Sequence, residues 1–298
     1  MKITKEINLK EEESALLDMH SFLNILNVIN SELYLLGFFV GDEAIVDKST
    51  NKIQSVASNL KNKENTLSVL QDVENLKKGI RENISEIIHK YPDKKDDPQI
   101  NESVRNLESI FEVMDVRTTE LIERFEKKIE WKDYLIDELK SNFIQVFQAI
   151  EKNSKGRYKI VNNIAEHEVK DYLVYLDITS SEGDKIKMPP VLQDIMRDLI
   201  ANARKYTKPG GRITAGLTNN GEKIVFVVED TGRGIPENEI QKVVDYGYRA
   251  GNVEDKETKG GGFGLTKAYY FVKKYHGQMW IDSKIDEGTK IKISIPVN

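Results

Sequence analysis

The stretch PPVLQDIMRDLIANARKYTKPGGRITAGLTNNGEKIVFVVEDTGRGIP, residues 189–236, decides the fold of the second half of this chain. It opens on two prolines, which suit the first turn of a helix, and apolar positions then recur at helical spacing until KPGG stops the pattern. The helix so predicted has about five turns. Asn202, Lys205 and Tyr206 follow Asp198 by four, seven and eight residues, so an amide, an ammonium, a phenol and a carboxylate share one helical face. Any one of them, taken singly, would suit a solvated flank. GRITAGL and KIVFVVED then read as strands, and the second ends at Asp230 before a turn containing Gly232 and Gly234. A carboxylate there can accept a hydrogen bond from an exocyclic amine, and the glycines let backbone approach a flat ligand closely.

Downstream, GYRAGNVEDKETKGGGFGL is polar and glycine-rich and runs into the amphipathic helix TKAYYFVKKYHG. Backbone amides at such a helix entry can receive phosphate oxygens. YKIVNN, DYLVYLDIT, QMWIDSKI and TKIKISIPV supply further strands, with partial alternation that suits a sheet packed on one face and wet on the other. Residues 154–298 are therefore expected to form an α/β sandwich, a mixed sheet covered on one face by helices.

Upstream, glycine and proline are scarce and helical periodicity takes over. A first helix near residues 12–39 carries His20 and ends around Gly37 to Gly41. Leu67, Leu70, Val73, Leu76, Ile80, Ile84 and Ile87 mark another, broken by YPDKKDDP. Ile100, Val104, Leu107, Phe111, Met114, Thr118, Leu121 and Phe125 form one apolar seam, and a last helix is predicted from Trp131 to about Asn153. Residues 1–153 are thus expected to be a long-helix bundle, which makes the whole chain α+β. Spacing leaves open whether the helix near 65–91 or that near 98–128 pairs with the His20 helix.

Bulk properties narrow the function classes. The 298 residues carry a net charge of -5 and no cysteine, which excludes disulfides, thiolate metal sites and thiol nucleophiles and gives no support to a nucleic-acid partner. The apolar run Leu33 to Val40 is far shorter than the ~20 residues of a bilayer span, and MKITKEINLKEEES lacks the apolar stretch of a secretion signal. The expectation is a cytoplasmic protein with no membrane span.

In order and spacing, NARKYT, DTGRGIP, YR and GGGFGL, followed by YHGQMWIDS and EGTKIKISIP, resemble the ATP-binding domain of sensor histidine kinases, of the GHKL type shared with gyrase and heat-shock chaperones. The resemblance covers nearly all of residues 157–298. It implies that Asn202 coordinates Mg2+, Lys205 touches the phosphates and Tyr206 packs near the purine. Asp230 would bind the adenine amine with help from Thr289, while Gly232, Gly234 and Ile235 shape the base pocket. Tyr248 and Arg249 match a lid segment at about 245–262, and Gly260, Gly262, Gly264 and Leu265 match the second glycine motif.

HSFLNIL resembles the phosphoacceptor box of the same family, with His20 as acceptor and Asn24 one turn on. The resemblance implies an ATP-dependent, homodimeric histidine kinase that passes the phosphoryl group to a response regulator receiver domain, with phosphatase activity as a second expectation. Two departures stand out. Ser21 replaces the acid that often follows the histidine, and Asp198 replaces an amide one turn before the metal asparagine. Asp198 is accordingly a candidate to supply the missing carboxylate. The alternatives are a GHKL-type ATPase with Asp198 as general base, and a nucleotide-gated scaffold without phosphotransfer.

Overall fold

The computed structural model describes residues 1–60, 63–127, 131–153, 158–162, 164–253 and 262–297. The chain divides into two compact units, Leu9–Ile129 on one side and Met1–Asn8 together with Glu130–Asn298 on the other. The division differs from the boundary expected at residue 153, and the first eight residues belong with the carboxy-terminal unit.

In the helical unit, α1 (Glu11–Val40) ends where Gly41 takes a left-handed φ of 84° and its N–H caps the Gly37 carbonyl. α2 (Asp47–Asn59), α3 (Lys63–Gln71) and α4 (Val73–Lys90) follow. The single helix expected across residues 67–87 is two, because the chain leaves helical geometry at Asp72, whose carboxylate bonds the Asn75 amide. α5 (Pro98–Lys127) starts on Asp97, which accepts from the amides of Gln99 and Ile100 beside a first-turn proline. The main partner of α1 is α5, which answers the pairing that spacing left open. Ile100, Leu107, Phe111, Met114 and Leu121 enter the core with Met19, Phe22, Leu26, Ile29, Leu33 and Leu36 of α1. By length and composition α1 is also apolar enough to cross a bilayer, with a mean hydropathy of 1.4 over its best window. Scanning for one unbroken run missed this, because polar residues interleave along the helix. In this fold its buried stripe faces protein.

The second unit holds a six-stranded mixed sheet of β2 (Ile160–Val161), β3 (Tyr172–Ser180), β5 (Arg212–Asn219), β6 (Lys223–Asp230), β7 (Gln278–Lys284) and β8 (Gly288–Pro296). Its order is β2-β3-β5-β6-β8-β7, with the first two pairings parallel and the rest antiparallel. Along β6, Ile224, Phe226 and Val228 are buried, as are Ile291, Ile293 and Ile295 of β8, whereas their neighbours in sequence are not. The inward face packs under α7 (Pro190–Tyr206) and α8 (Gly264–Lys274) around one core. The expected helix from Trp131 begins instead with β1 (Lys132–Leu135), paired antiparallel to β4 (Lys185–Met188), and only then becomes α6 (Ile136–Asn153). Four-residue strands carry too little periodicity to announce themselves.

Residues 1–3 pair along the outer edge of β7. Lys2 pairs with Trp280, the Ile3 amide donates to Met279, and Ile281 donates back to the Met1 carbonyl. Ile3 is 3% exposed within the core. Gln241 brackets the segment with bonds to Thr4 and Lys2, the buried Tyr269 hydroxyl donates to the Lys5 carbonyl at 2.7 Å, and the Lys5 ammonium pairs with Asp245. Ile3→Ala is expected to destabilise this unit by about 2–4 kcal/mol in urea unfolding and to speed amide exchange at Ile281. Unchanged exchange there would show that the segment does not complete the sheet.

Candidate active site

α7 is the spine of the site. Leu199, Ile200 and Ala203 are buried in the core, which leaves Asp198, Asn202, Lys205 and Tyr206 partly exposed along the outer flank. At Asn202 the start of α8 closes in. A Cβ built on Gly264 would stand 2.8 Å from the Asn202 amide nitrogen, so glycine alone fits without displacing it. The approach to that helix turns at Gly262, with φ of 78° and its Cα against the Tyr248 carbonyl. Phe263, at the N-cap position of α8, offers that helix no side-chain cap, and helix starts of this kind can receive an anion on their first-turn amides. One turn further on, the fully buried Lys267 donates to Asp198 Oδ2 at 2.9 Å.

One turn beyond Asn202, at the carboxy-terminal end of α7, the turn after β6 arrives. The Gly232 amide donates to Asp230 Oδ1 at 2.8 Å, and a side chain at Gly232 would strike the Tyr206 carbonyl. Arg233 donates its amide to that same carbonyl. Gly234 has a φ of 69°, and its absent Cβ makes room for the Lys284 carbonyl. Thr289 faces Asp230 across the β6–β8 register. The Ser283 hydroxyl donates to the Gly288 carbonyl, accepts from the Ile235 amide at 2.8 Å and bonds the Thr289 hydroxyl. Burial pushes the Asp230 carboxyl up to about 6, against the opposing pull of the Gly232 and Thr289 amides.

The first part of the lid folds back on this turn. Glu239 accepts from the Tyr248 hydroxyl and the Gly251 amide, Asn252 donates to the Gly234 carbonyl, and Arg233 donates to the Asn252 carbonyl. Lys205 is drawn down to about 8, first by burial and then by the cations Arg249 and Arg204. Its ammonium lies 5.0 Å from the centre of the Tyr206 ring. Leu265 packs on the core from α8. Gly260 lies outside the described residues, as does the rest of the lid across 254–261.

Along the carboxy-terminal half of α7 the site therefore joins Asp198, Asn202 and Gly264 to Tyr206, Gly232, Asp230 and Thr289 one turn on. Among the described residues no group of three or more acidic or histidine side chains could hold a metal alone. A hard cation such as Mg2+ would have to take most of its oxygen ligands from phosphate and water here, and the Asn202 amide oxygen is a residue that would help to hold it. Reasoning from sequence missed Ser283 and Lys267. The lysine sits in an amphipathic helix, where a charged residue ordinarily reads as solvated.

His20 and Asn24 belong to the helical unit, one turn apart on α1 and both partly exposed beside the buried Met19 and Phe22. Ser21 accepts from Arg117 Nε of α5 at 2.8 Å, and Arg117, only 8% exposed, also pairs with Glu120 at 2.7 Å. The residue after His20 is thus held by a cation. Nothing in the repeat of α5 singled Arg117 out.

Residues 188–298 match the family described as histidine kinase-, DNA gyrase B- and HSP90-like ATPase. Within that family the similarity runs to sensor kinases. The adaptive-response sensory kinase SasA of Nostoc sp. is 34% identical over 110 residues, 37% of this chain and 27% of that protein. Sensor histidine kinase WalK of Bacillus subtilis is 35% identical over 117 residues, 39% of this chain and 18% of that protein. The solved structure of the mycobacterial sensor histidine kinase MprB is 19% identical, covering 55% of this chain and 97% of that one, with a TM-score of 0.40. The chain thus spans less than a third of the length of the curated relatives it matches.

Two titrations bound the site. Asp230 accepts best when ionised and Lys205 donates charge only when protonated, so Mg-ATP affinity is expected to fall below about pH 6 and again above about pH 8. A flat affinity profile by calorimetry from pH 5 to 9 would contradict these assignments. Because the folded Asp230 binds its proton more tightly than the ordinary carboxyl at 3.8, its charged form costs stability above pH 6, and the cost fades as pH falls toward 3.8. Asp230→Asn is therefore expected to stabilise the nucleotide-free protein by about 1–2 kcal/mol at pH 7 while weakening ATP binding at least about tenfold.

Proposed function

We propose that this chain is an ATP-dependent protein histidine kinase that phosphorylates His20 and hands the phosphoryl group to an aspartate on a response regulator receiver domain. The observation that carries the reading is the double approach to the carboxy-terminal end of α7, Gly264 against the Asn202 side chain and Gly232 against the Tyr206 carbonyl one turn on. That arrangement suits a nucleotide lying across the end of α7, with its phosphates toward Asn202 and the start of α8 and its base toward Asp230. In this reading Asn202 holds Mg2+, Lys205 and the α8 amides meet the phosphates, and Tyr206 packs on the purine. Asp230 and Thr289 take the adenine amine, Gly234 and Ile235 line the base pocket, and Tyr248, Arg249, Gly260, Gly262 and Leu265 serve the lid.

The chemistry is an in-line displacement. An imidazole nitrogen of His20 bonds to the γ-phosphorus, the bond to the bridging oxygen breaks, ADP leaves, and the ring proton passes to a base. Engagement of Asp198 by Lys267 weighs against Asp198 as that base, and equally against the ATPase alternative. Asn24 is assigned to orienting water in the reverse dephosphorylation. Homodimerisation is supported by the apolar residues that α1 leaves exposed at Val28, Tyr34, Leu35 and Phe38, with Val113 and Val116 on α5. A cytoplasmic setting goes with ATP as the phosphoryl donor.

Incubation with γ-labelled ATP and Mg2+ is expected to give acid-labile label on the native chain and none on His20→Gln. Label that survives acid, or persists in His20→Gln, would exclude the kinase reading. Phosphate release without any protein label would favour the ATPase.

A further inference from the structure

Lys267 has no part in the scheme above. An ammonium withdrawn completely from water is costly unless paired, and this one is 0% exposed with its bond to Asp198 at 2.9 Å. The partner lies on α7 one turn before Asn202, and Lys267 lies one turn beyond Gly264 on α8. The two helices therefore meet in successive rungs, Asn202 against Gly264 and Asp198 against Lys267. The second rung brings a carboxylate, 19% exposed, to within one helical turn of the first. An unpaired carboxylate there would oppose any polyanion received at the start of α8.

We infer that Lys267 is a positioning residue for polyphosphate binding, acting by cancelling the Asp198 carboxylate beside Asn202 and the start of α8. The inference rests on the reading of the Asn202–Gly264 rung as the phosphate end of the site. It differs from a plain structural strut in one respect: the effect scales with the number of phosphates on the ligand and disappears when the carboxylate is removed together with the lysine.

The experiment is calorimetric titration of Mg-ATP and of AMP into the full chain, native and carrying Lys267→Met, Asp198→Asn or both, with thermal melts in parallel. Lys267→Met replaces the buried ammonium by an apolar chain of similar length. It is expected to weaken ATP roughly ten- to a hundredfold and AMP by less than about threefold, while the double variant returns to within about threefold of native for ATP. Asp198→Asn alone, which leaves the cation unopposed, is expected to bind ATP at least as tightly as native, and this arm decides the matter if Lys267→Met does not fold. Equal losses for ATP and AMP, no recovery in the double variant, or weaker ATP in Asp198→Asn would each overturn the inference. Native protein that binds neither nucleotide would bring down the nucleotide reading itself, whereas native binding with unchanged Lys267→Met removes only the claim about the lysine.

Discussion

A Cβ at residue 264 would stand 2.8 Å from the Asn202 amide nitrogen, so glycine there lets α8 come close to α7 without moving that side chain, and the contacts around α8 keep the approach close. Thr266, two residues on, donates its hydroxyl to the Asp245 carbonyl at the base of the lid, and Lys267 fastens the same turn to α7. Beneath lie Ala268, Tyr269 and Val272, each with no surface exposed, so the helix cannot slide without opening the core. Packing thus sets the position of a polar contact, and polar contacts set the position of a loop.

One turn on, the end of α7 works by a different balance. Asp230 is kept where water is scarce, with two amides directed at it, which holds an acceptor ready at some cost to the empty protein. Lys205 is crowded by two arginines in the same way, and an anion arriving there relieves the crowding. Both groups are less comfortable without a ligand than with one. Regions that do chemistry commonly give up stability in this manner.

Much of this was legible before any coordinates. β6 was read to the residue from KIVFVVED, because its alternation is regular and Asp230 and the glycine turn bound it. α7 and the apolar seam of α5 were equally plain, since each has clear ends and a long repeat. The turn with Gly232 and Gly234 was legible as a place where backbone can come close, but the Tyr206 and Lys284 carbonyls that it meets were not, nor was the approach of Gly264 to Asn202. What stayed hidden depends on partners far away in the chain. Lys2 beside Trp280, Arg117 on Ser21 and Lys267 on Asp198 are pairings whose members look ordinary in their own segments. The β1–β4 ribbon escaped for a simpler reason, its shortness.

The pairing of residues 1–3 with β7 carries a consequence for how this unit folds. In chain terms the helical unit, Leu9–Ile129, is an insertion within the other. Lys2 bridges Trp280 across that insertion, and the Met1 ammonium donates to the Ile281 carbonyl 280 positions away. Contacts so distant in sequence form late because their loop entropy must be met before they stabilise anything. Until that closure Ile3 and the apolar edge it covers stay in water, open to chaperones and to other copies of the same sheet.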